Sequence, residues 1–321
     1  VKRTTIDLNR SKAGSMFTLA HLSDPHVPTR LAPGIAALMN KRLLGYLSWR
    51  YRRSLIHRRE ILDALGRDLD GQRPDHVAVT GDLVNISLPE EFINAADWLN
   101  GLGRTERVTV VPGNHDAYVA VPWAQSWALW ADYMASETPE GTAVPPATSA
   151  DFPILRRRGP VAIVGLSTAL PTAPGLATGK LGEGQLADLA DHLQTLDRED
   201  LFRVVLLHHP PIPGTTTRRK GLIDAAAFRQ AVAATGAELV LYGHNHRFAS
   251  GEIPGRDGPV PVFGVPSASA LPSHGKPVAQ YHLFDIDRTR SSWTVTLRIR
   301  RYDPQSEAFC AAETRTFDVF R

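Results

Sequence analysis

Five short polar blocks carry most of the chemistry available to this chain. They are Asp24-Pro25-His26, Gly81-Asp82, Gly113-Asn114-His115-Asp116, His208-His209 and Gly243-His244-Asn245-His246. A borderline divalent cation accepts imidazole nitrogen and carboxylate oxygen together. Asp24 and His26 are separated by one residue, so a single turn can aim both at one ion. Asp82 has two carboxylate oxygens and can bridge two ions. Asn114 adds a neutral oxygen, which limits negative charge, and His208, His244 and His246 add imidazoles. Two ions about 3.5–4 Å apart clamp the attacking and leaving oxygens of an in-line displacement. These residue types point to metal-assisted hydrolysis of phosphate esters, with two divalent ions of the Mn, Fe, Zn or Co group. A glycine precedes Asp82, Asn114 and His244, as tight turns and close backbone approach require.

The blocks need a frame, and the residues ahead of them supply one. Each block follows a short apolar run: Phe17–Leu22, His76–Val79, Val108–Val111, Val204–Leu207 and Leu239–Tyr242. Short, nearly continuous apolar runs rich in β-branched residues read as strands buried on both faces. Helix-like stretches lie between them, near 54–70, 88–101, 183–197 and 224–235. Strand and helix in alternation predict an α/β chain with a largely parallel sheet. In such sheets functional groups gather beyond the carboxyl ends of the strands, where all five blocks stand. After residue 250 the pattern changes to strand-like runs, several of which alternate apolar and polar residues, as antiparallel strands with one wet face do. These late strands are expected to complete a second sheet packed on the first. The expectation is one domain over residues 16–321, β-rich over 250–321, after a flexible extension over residues 1–15. The stretch at 169–180, with prolines and glycines close together, is placed at the border of the pocket.

The ordered set of blocks resembles the motif set of the calcineurin-like metallophosphoesterase superfamily. It spans residues 24–246, roughly two thirds of the chain. The resemblance implies a two-sheet β-sandwich flanked by helices, an αββα layering. It implies one ion held by Asp24, His26, Asp82 and His246, and a second held by Asp82, Asn114, His208 and His244. It implies that His115 contacts the phosphate and protonates or stabilises the leaving oxygen, and that Asp116 orients His115. His209 is given a supporting part. With His rather than Arg after Gly113-Asn114, the chain looks closest to the class III cyclic nucleotide and glycerophosphodiester phosphodiesterases. The implied reaction is attack of metal-bound hydroxide on a small phosphodiester. Two other readings stay open: hydrolysis of a lipid-linked pyrophosphate or phospholipid at a membrane surface, and a non-catalytic metal scaffold that binds polyanions.

His21, His57, His76, His192 and His282 match no motif and read as core or surface histidines. The chain has 321 residues, 43% of them hydrophobic, enough for a sizeable core, and its net charge of +3 implies no global polyanion field. Cys310 is the single cysteine, which excludes an intramolecular disulfide and agrees with a reducing cytoplasm. No 18-residue apolar run predicts a membrane span. The expected location is therefore cytoplasmic, with the membrane periphery as the alternative.

One segment departs from this plain picture. Over residues 38–59 there are seven basic residues, Lys41, Arg42, Arg50, Arg52, Arg53, Arg58 and Arg59, and no acidic one. Leu44, Leu47, Tyr51 and Leu55 follow helical spacing and share a face. Four readings fit: a helix packed on the sheet with a solvated basic face, a lid over a phosphorylated substrate, a helix at anionic lipid, or an RNA-contacting surface. Nucleic acid is the least favoured partner. Arg52 and Trp49 of this segment, with His274 of Ser273-His274-Gly275, are candidates to contact substrate.

Overall fold

The computed structural model describes residues 16–138, 140–273, 275–289 and 292–320. The expected N-terminal extension and His274 lie outside the described residues. In chain order the strands are β1 Phe17–Leu22, β2 His76–Val79, β3 Val108–Val110, β4 Ser136–Glu137, β5 Ala143–Val144, β6 Ile154–Arg158, β7 Val161–Gly165, β8 Phe202–Leu206, β9 Leu239–Tyr242, β10 Ala249–Pro254, β11 Pro259–Gly264, β12 Gln280–Arg288, β13 Ser292–Asp303 and β14 Ala308–Phe320. The helices are α1 Arg42–Ser48, α2 Ser54–Ile56, α3 Arg59–Gln72, α4 Pro89–Leu102, α5 Glu183–Arg198 and α6 Ala225–Thr235, with a π-helical turn Trp49–Arg53 between α1 and α2.

Two six-stranded sheets stack face to face. The first has the order β14-β13-β12-β1-β2-β3 and the second β10-β11-β9-β8-β7-β6. Side-chain alternation along each strand makes the layers. Phe17, Leu19, Val204, Leu206, Leu239 and Leu241 point between the sheets and meet Phe284, Val295 and Leu297. Their neighbours point outward. Ala20, Leu22, Val77 and Val79 pack under Leu62, Leu65, Phe92 and Leu99 of α3 and α4. Val205, Leu207 and Val240 pack under Leu189, Leu193, Phe228 and Val232 of α5 and α6. The expected αββα sandwich is the observed fold.

Three details differ from the expectation. The late strands do not all complete the second sheet: β10 and β11 do, while β12, β13 and β14 extend the first beside β1. The second sheet is completed by β6 and β7, runs the sequence reading passed over. The helix expected over 54–70 is broken. His57 and Arg58 are extended, Arg58 N–H donates to Ser269 O, and Leu271 N–H donates to Ile56 O. Pairing with the 269–271 strand-like run claims the backbone groups that a continuous helix would use.

Far from the strands' carboxyl ends, a buried ion pair ties the second sheet to its helices. The Arg203 guanidinium lies 2.7 and 2.9 Å from the two carboxylate oxygens of Glu238, and it donates to Leu193 O and Thr235 O. Removing one partner of such a pair strands the other charge in the core. Arg203→Met is expected to lower unfolding free energy by about 3–5 kcal/mol. Denaturant titration checks this, and metal content per folded chain should stay at the wild-type value.

Candidate metal centre

β1, β2 and β3 are parallel neighbours in one sheet, and β8 and β9 are parallel neighbours in the other. Their carboxyl ends meet at one rim. Hydrogen bonds cross between the sheets there: the His208 ring lies 2.6 Å from Thr80 O through Nδ1. The loops leave the strands abruptly. Asp24, His26, Asp82, His244 and His246 all have positive φ, between 38° and 67°. Left-handed backbone at non-glycine residues costs about 1–3 kcal/mol each and gathers at functional sites. Two turns also need glycine. A Cβ on Gly113 would lie 2.3 Å from Asp82 Oδ1, and one on Gly243 would lie 1.8 Å from Ser23 Oγ.

The turns bring all seven expected ligands together in two groups that share Asp82. In the first, His246 Nε2 is 3.0 Å from Asp24 Oδ1 and 3.4 Å from His26 Nε2. His26 Nε2 is 3.9 Å from Asp82 Oδ2. In the second, His208 Nε2 is 3.3 Å from the same Asp82 Oδ2 and 3.2 Å from Asn114 Oδ1. His244 Nδ1 is 2.8 Å from Asn114 Oδ1 and 3.3 Å from His208 Nε2.

Tautomers follow from the other ring nitrogens. His208 Nδ1–H donates to Thr80 O, and His26 Nδ1–H donates to Val84 O at 3.0 Å. Each ring is thereby held with its Nε2 lone pair aimed into the centre, as a metal-binding imidazole is. Lone pairs then face lone pairs, and Asp24 Oδ1 is buried with no hydrogen-bond partner. The donor set fits a cation in each group.

The charges say the same. Burial works to raise Asp24 and Asp82, yet the surrounding histidines hold both below their ordinary values. Burial also works against charge on His208, but Asp82, Asp24 and Thr80 O hold it up at about 9. A proton there does part of what a metal ion would do. Burial keeps His26 and His244 well below the usual imidazole range, so both are neutral ligands.

His115 stands beside the centre rather than in it. Its ring is 4.9 Å from the His26 ring, centre to centre, and stacks on Tyr118. Its Nδ1 lies 2.5 Å from Asn85 O. Burial first, and then the Arg53 cation, lower its pKa to about 4 against the pull of Asp82.

Asp116 does not orient this ring, contrary to the expectation. Its carboxylate accepts the backbone N–H groups of Asp82, Leu83, Val84 and Gly113. It clamps the 81–84 and 113–116 turns together, and its two oxygens are fully engaged by main chain. Burial and the Asp82 charge raise it to about 7, against the Gly113 and Val84 N–H groups. Asn85 O does the orienting. The Asn85 loop is in turn held by Glu91, whose carboxylate accepts the N–H groups of Asn85, Ile86 and Leu88.

Sequence reasoning missed two residues, both in the 38–59 segment. Arg53 is half-buried, donates to Gly45 O and Asn85 O, and lies 2.9 Å from His115 Nδ1. His57 packs 4.5 Å from the His26 ring and, with His26 and His246, forms a further group of potential metal ligands. Its Nδ1 is 2.7 Å from Ser269 Oγ. The run of arginines hid Arg53, and a histidine outside any motif hid His57. The signal available was their position just ahead of α3, close in sequence to Asp24 and His26.

Arg52 lines the cleft above the centre, about 550 Å³ in volume, as do Gly175, Leu176 and Ala177 of the stretch placed at its border. Trp49 does not line that cleft. The π-helical turn directs it inward, where it stacks on Tyr46 over Leu31, Ile86 and Leu88 and borders a smaller cavity behind His26 and His57. His209 packs edge-on against the His208 ring, 5.1 Å centre to centre, and its Nδ1 lies 2.7 Å from Thr168 Oγ1.

A family model described as calcineurin-like phosphoesterase matches residues 17–248. The chain belongs to the calcineurin-like phosphoesterase family. Over 205 residues it is 27% identical to the glycerophosphodiester phosphodiesterase GpdQ of Enterobacter lignolyticus. That match covers 61% of this chain and 57% of the relative, so it spans little more than half of that protein. The fold is similar to the crystal structure of a dimetal phosphatase from Danio rerio, with a TM-score of 0.61 at 14% identity over 95% of this chain and 98% of that one. Within that family fold, the His/Asp cluster is the candidate metal site of this chain.

Two outcomes follow. Gly113→Ala should push Asp82 off both ligand groups, so metal content measured by elemental analysis should fall while far-ultraviolet circular dichroism is kept. Arg53→Met removes a cation beside His115. The His115 pKa should then rise from about 4, read by NMR titration of the ring.

Proposed function

We propose that this chain hydrolyses phosphodiesters at a centre of two divalent ions. Asp24, His26, Asp82 and His246 would hold one ion; Asp82, Asn114, His208 and His244 would hold the other. The observation that carries the reading is Asp82 Oδ2, one carboxylate oxygen facing His26 Nε2 on one side and His208 Nε2 on the other. When bound, such ions activate water and neutralise charge on phosphoryl oxygens. Oxygen and nitrogen ligands together suit Mn, Fe, Zn or Co.

The chain's own groups account for the rest. His115 lies at the mouth of the centre with its Nδ1–H engaged by Asn85 O; its Nε2 is bare in the free protein, where the pKa is about 4, and would take up a proton as an anionic phosphate draws near, to pass to the leaving oxygen. Arg53 adds a fixed positive charge beside it. A guanidinium fixed in a cleft wall is a natural partner for a phosphoryl oxygen. Lys41, Lys220 and Lys276 also line the cleft, where Asp82 is the sole carboxylate among the described lining residues. An anionic substrate is therefore favoured throughout its approach. The likeness to a glycerophosphodiester phosphodiesterase supports glycerophosphodiesters as first substrates, and the resemblance of the motifs adds cyclic nucleotides.

Asn114→Ala and His115→Ala separate the two roles. Asn114→Ala should lower the occupancy of the second ion. His115→Ala should keep wild-type metal content and lower turnover of an aryl phosphodiester by about 10²–10⁴-fold, the usual worth of a placed proton donor. Elemental analysis beside single-substrate kinetics checks both, and equal metal loss in the two variants would contradict the assignment.

A further inference from the structure

Residues 35–58 form the outer wall of the cleft, and their solvent side carries a cluster of large apolar side chains. Ile35 is 86% exposed, Met39 81%, Tyr51 70%, Leu55 63% and Leu44 58%, and Leu43 and Leu47 are also exposed. Ile93, Leu129 and Ile223 are exposed singly elsewhere, as scattered surface residues usually are. A cluster this dense marks a contact surface instead.

The face is not exposed because the segment is loose. Its inner side is fixed by hydrogen bonds from Arg42 to Ile86 O, from Arg53 to Gly45 O and from Lys41 Nζ to Thr172 Oγ1. Tyr46 and Trp49 pack against Leu31, Ile86 and Leu88. The segment thus turns Arg42, Arg53, Tyr46 and Trp49 inward and leaves its leucines, with Tyr51, outside.

Charge selects the occupant. Arg50, Arg52 and Arg58 are exposed among these leucines, and no acidic residue stands between Asp24 and Glu60. Arginines flanking an exposed apolar helical face suit a bilayer with anionic headgroups, the leucines entering the acyl boundary. The 15 residues of α1, the π turn and α2 would span roughly 22 Å, enough to lie along such a surface. No helix among the described residues is long and apolar enough to cross a membrane, so the contact is peripheral.

The apolar surface also continues into the cleft. Leu44 and Ile56 line its near wall, and Leu176, Leu271 and Pro277 line the far one, above the ligand groups. We propose that this face seats on an anionic lipid bilayer and that the centre takes its phosphoester from an amphiphile in that surface. The substrate part of this proposal rests on the phosphodiesterase reading above; the lipid contact does not.

The test uses vesicles of phosphatidylcholine alone and of phosphatidylcholine with phosphatidylglycerol, in flotation with the full chain. The wild type should float with the anionic vesicles and not with the neutral ones. Met39→Ser with Leu47→Ser and Leu55→Ser, and separately Arg50→Glu with Arg58→Glu, should each weaken binding by about tenfold or more. Both variants lie outside the cleft lining, so they should hydrolyse a soluble aryl phosphodiester at the wild-type rate while losing turnover of a vesicle-borne phosphodiester. No flotation of the wild type overturns the proposal. So does loss in the arginine variant alone, which would mark a soluble polyanion site. A wild-type dimer in sedimentation that the leucine-to-serine variant dissociates would give the face to a second copy, and binding lost on deleting residues 1–15 would place the contact there. If the wild type floats but hydrolyses neither the aryl nor the vesicle-borne diester, the seat stands and the phosphodiesterase reading falls.

Discussion

Seven ligand atoms point at one another at the rim of this molecule, and most of them carry lone pairs. Asp82 Oδ2, His208 Nε2, Asn114 Oδ1 and His244 Nδ1 lie within 3.3 Å of their neighbours. Without a cation, such a cluster is repulsive, and burial strengthens the repulsion by removing water. Much of the local structure follows from holding it together. Backbone carbonyls fix the rings from behind, the Asp116 carboxylate ties two turns by their N–H groups, and left-handed residues aim the side chains. The strain and the repulsion are carried by the sandwich beneath, whose strands are buried on both faces.

The architecture serves that task directly. Parallel strands in both sheets deliver their carboxyl ends to the same rim, so five loops from distant parts of the chain converge. The two sheets do not contribute equally. The first supplies Asp24, His26, Asp82, Asn114 and His115; the second supplies His208, His244 and His246. The centre is therefore a seam between sheets, and bonds such as His208 to Thr80 O register one against the other.

The 35–58 segment is where general architecture becomes particular to this chain. It turns Arg53 and His57 inward toward His115 and His26, and its leucines outward. A π-helical turn between α1 and α2 makes both possible, because it shifts the phase of the side chains within one short helical stretch. The break at His57 has a separate cause, the backbone pairing with residues 269–271. One segment thus completes the surroundings of the centre and shapes the surface around its mouth.

The ligands, their order and the strands ahead of them were legible in the sequence because each is a local signal: a polar block after a buried apolar run, with a glycine where the turn is tight. The αββα layering followed from that pattern and from the resemblance it carries. Three things were decided by tertiary structure alone. Whether β12 to β14 joined the first or the second sheet depended on which strand edge was open, which no local pattern records. Asp116 was drawn away from His115 by four main-chain donors that come from two turns over thirty residues apart. And which side of the 35–58 segment is buried was set by carbonyls at residues 85–87 and by the packing around Leu31. Spacing alone marked Leu44, Leu47, Tyr51 and Leu55 as a shared face; only the surrounding contacts, by claiming the opposite side, left that face to solvent.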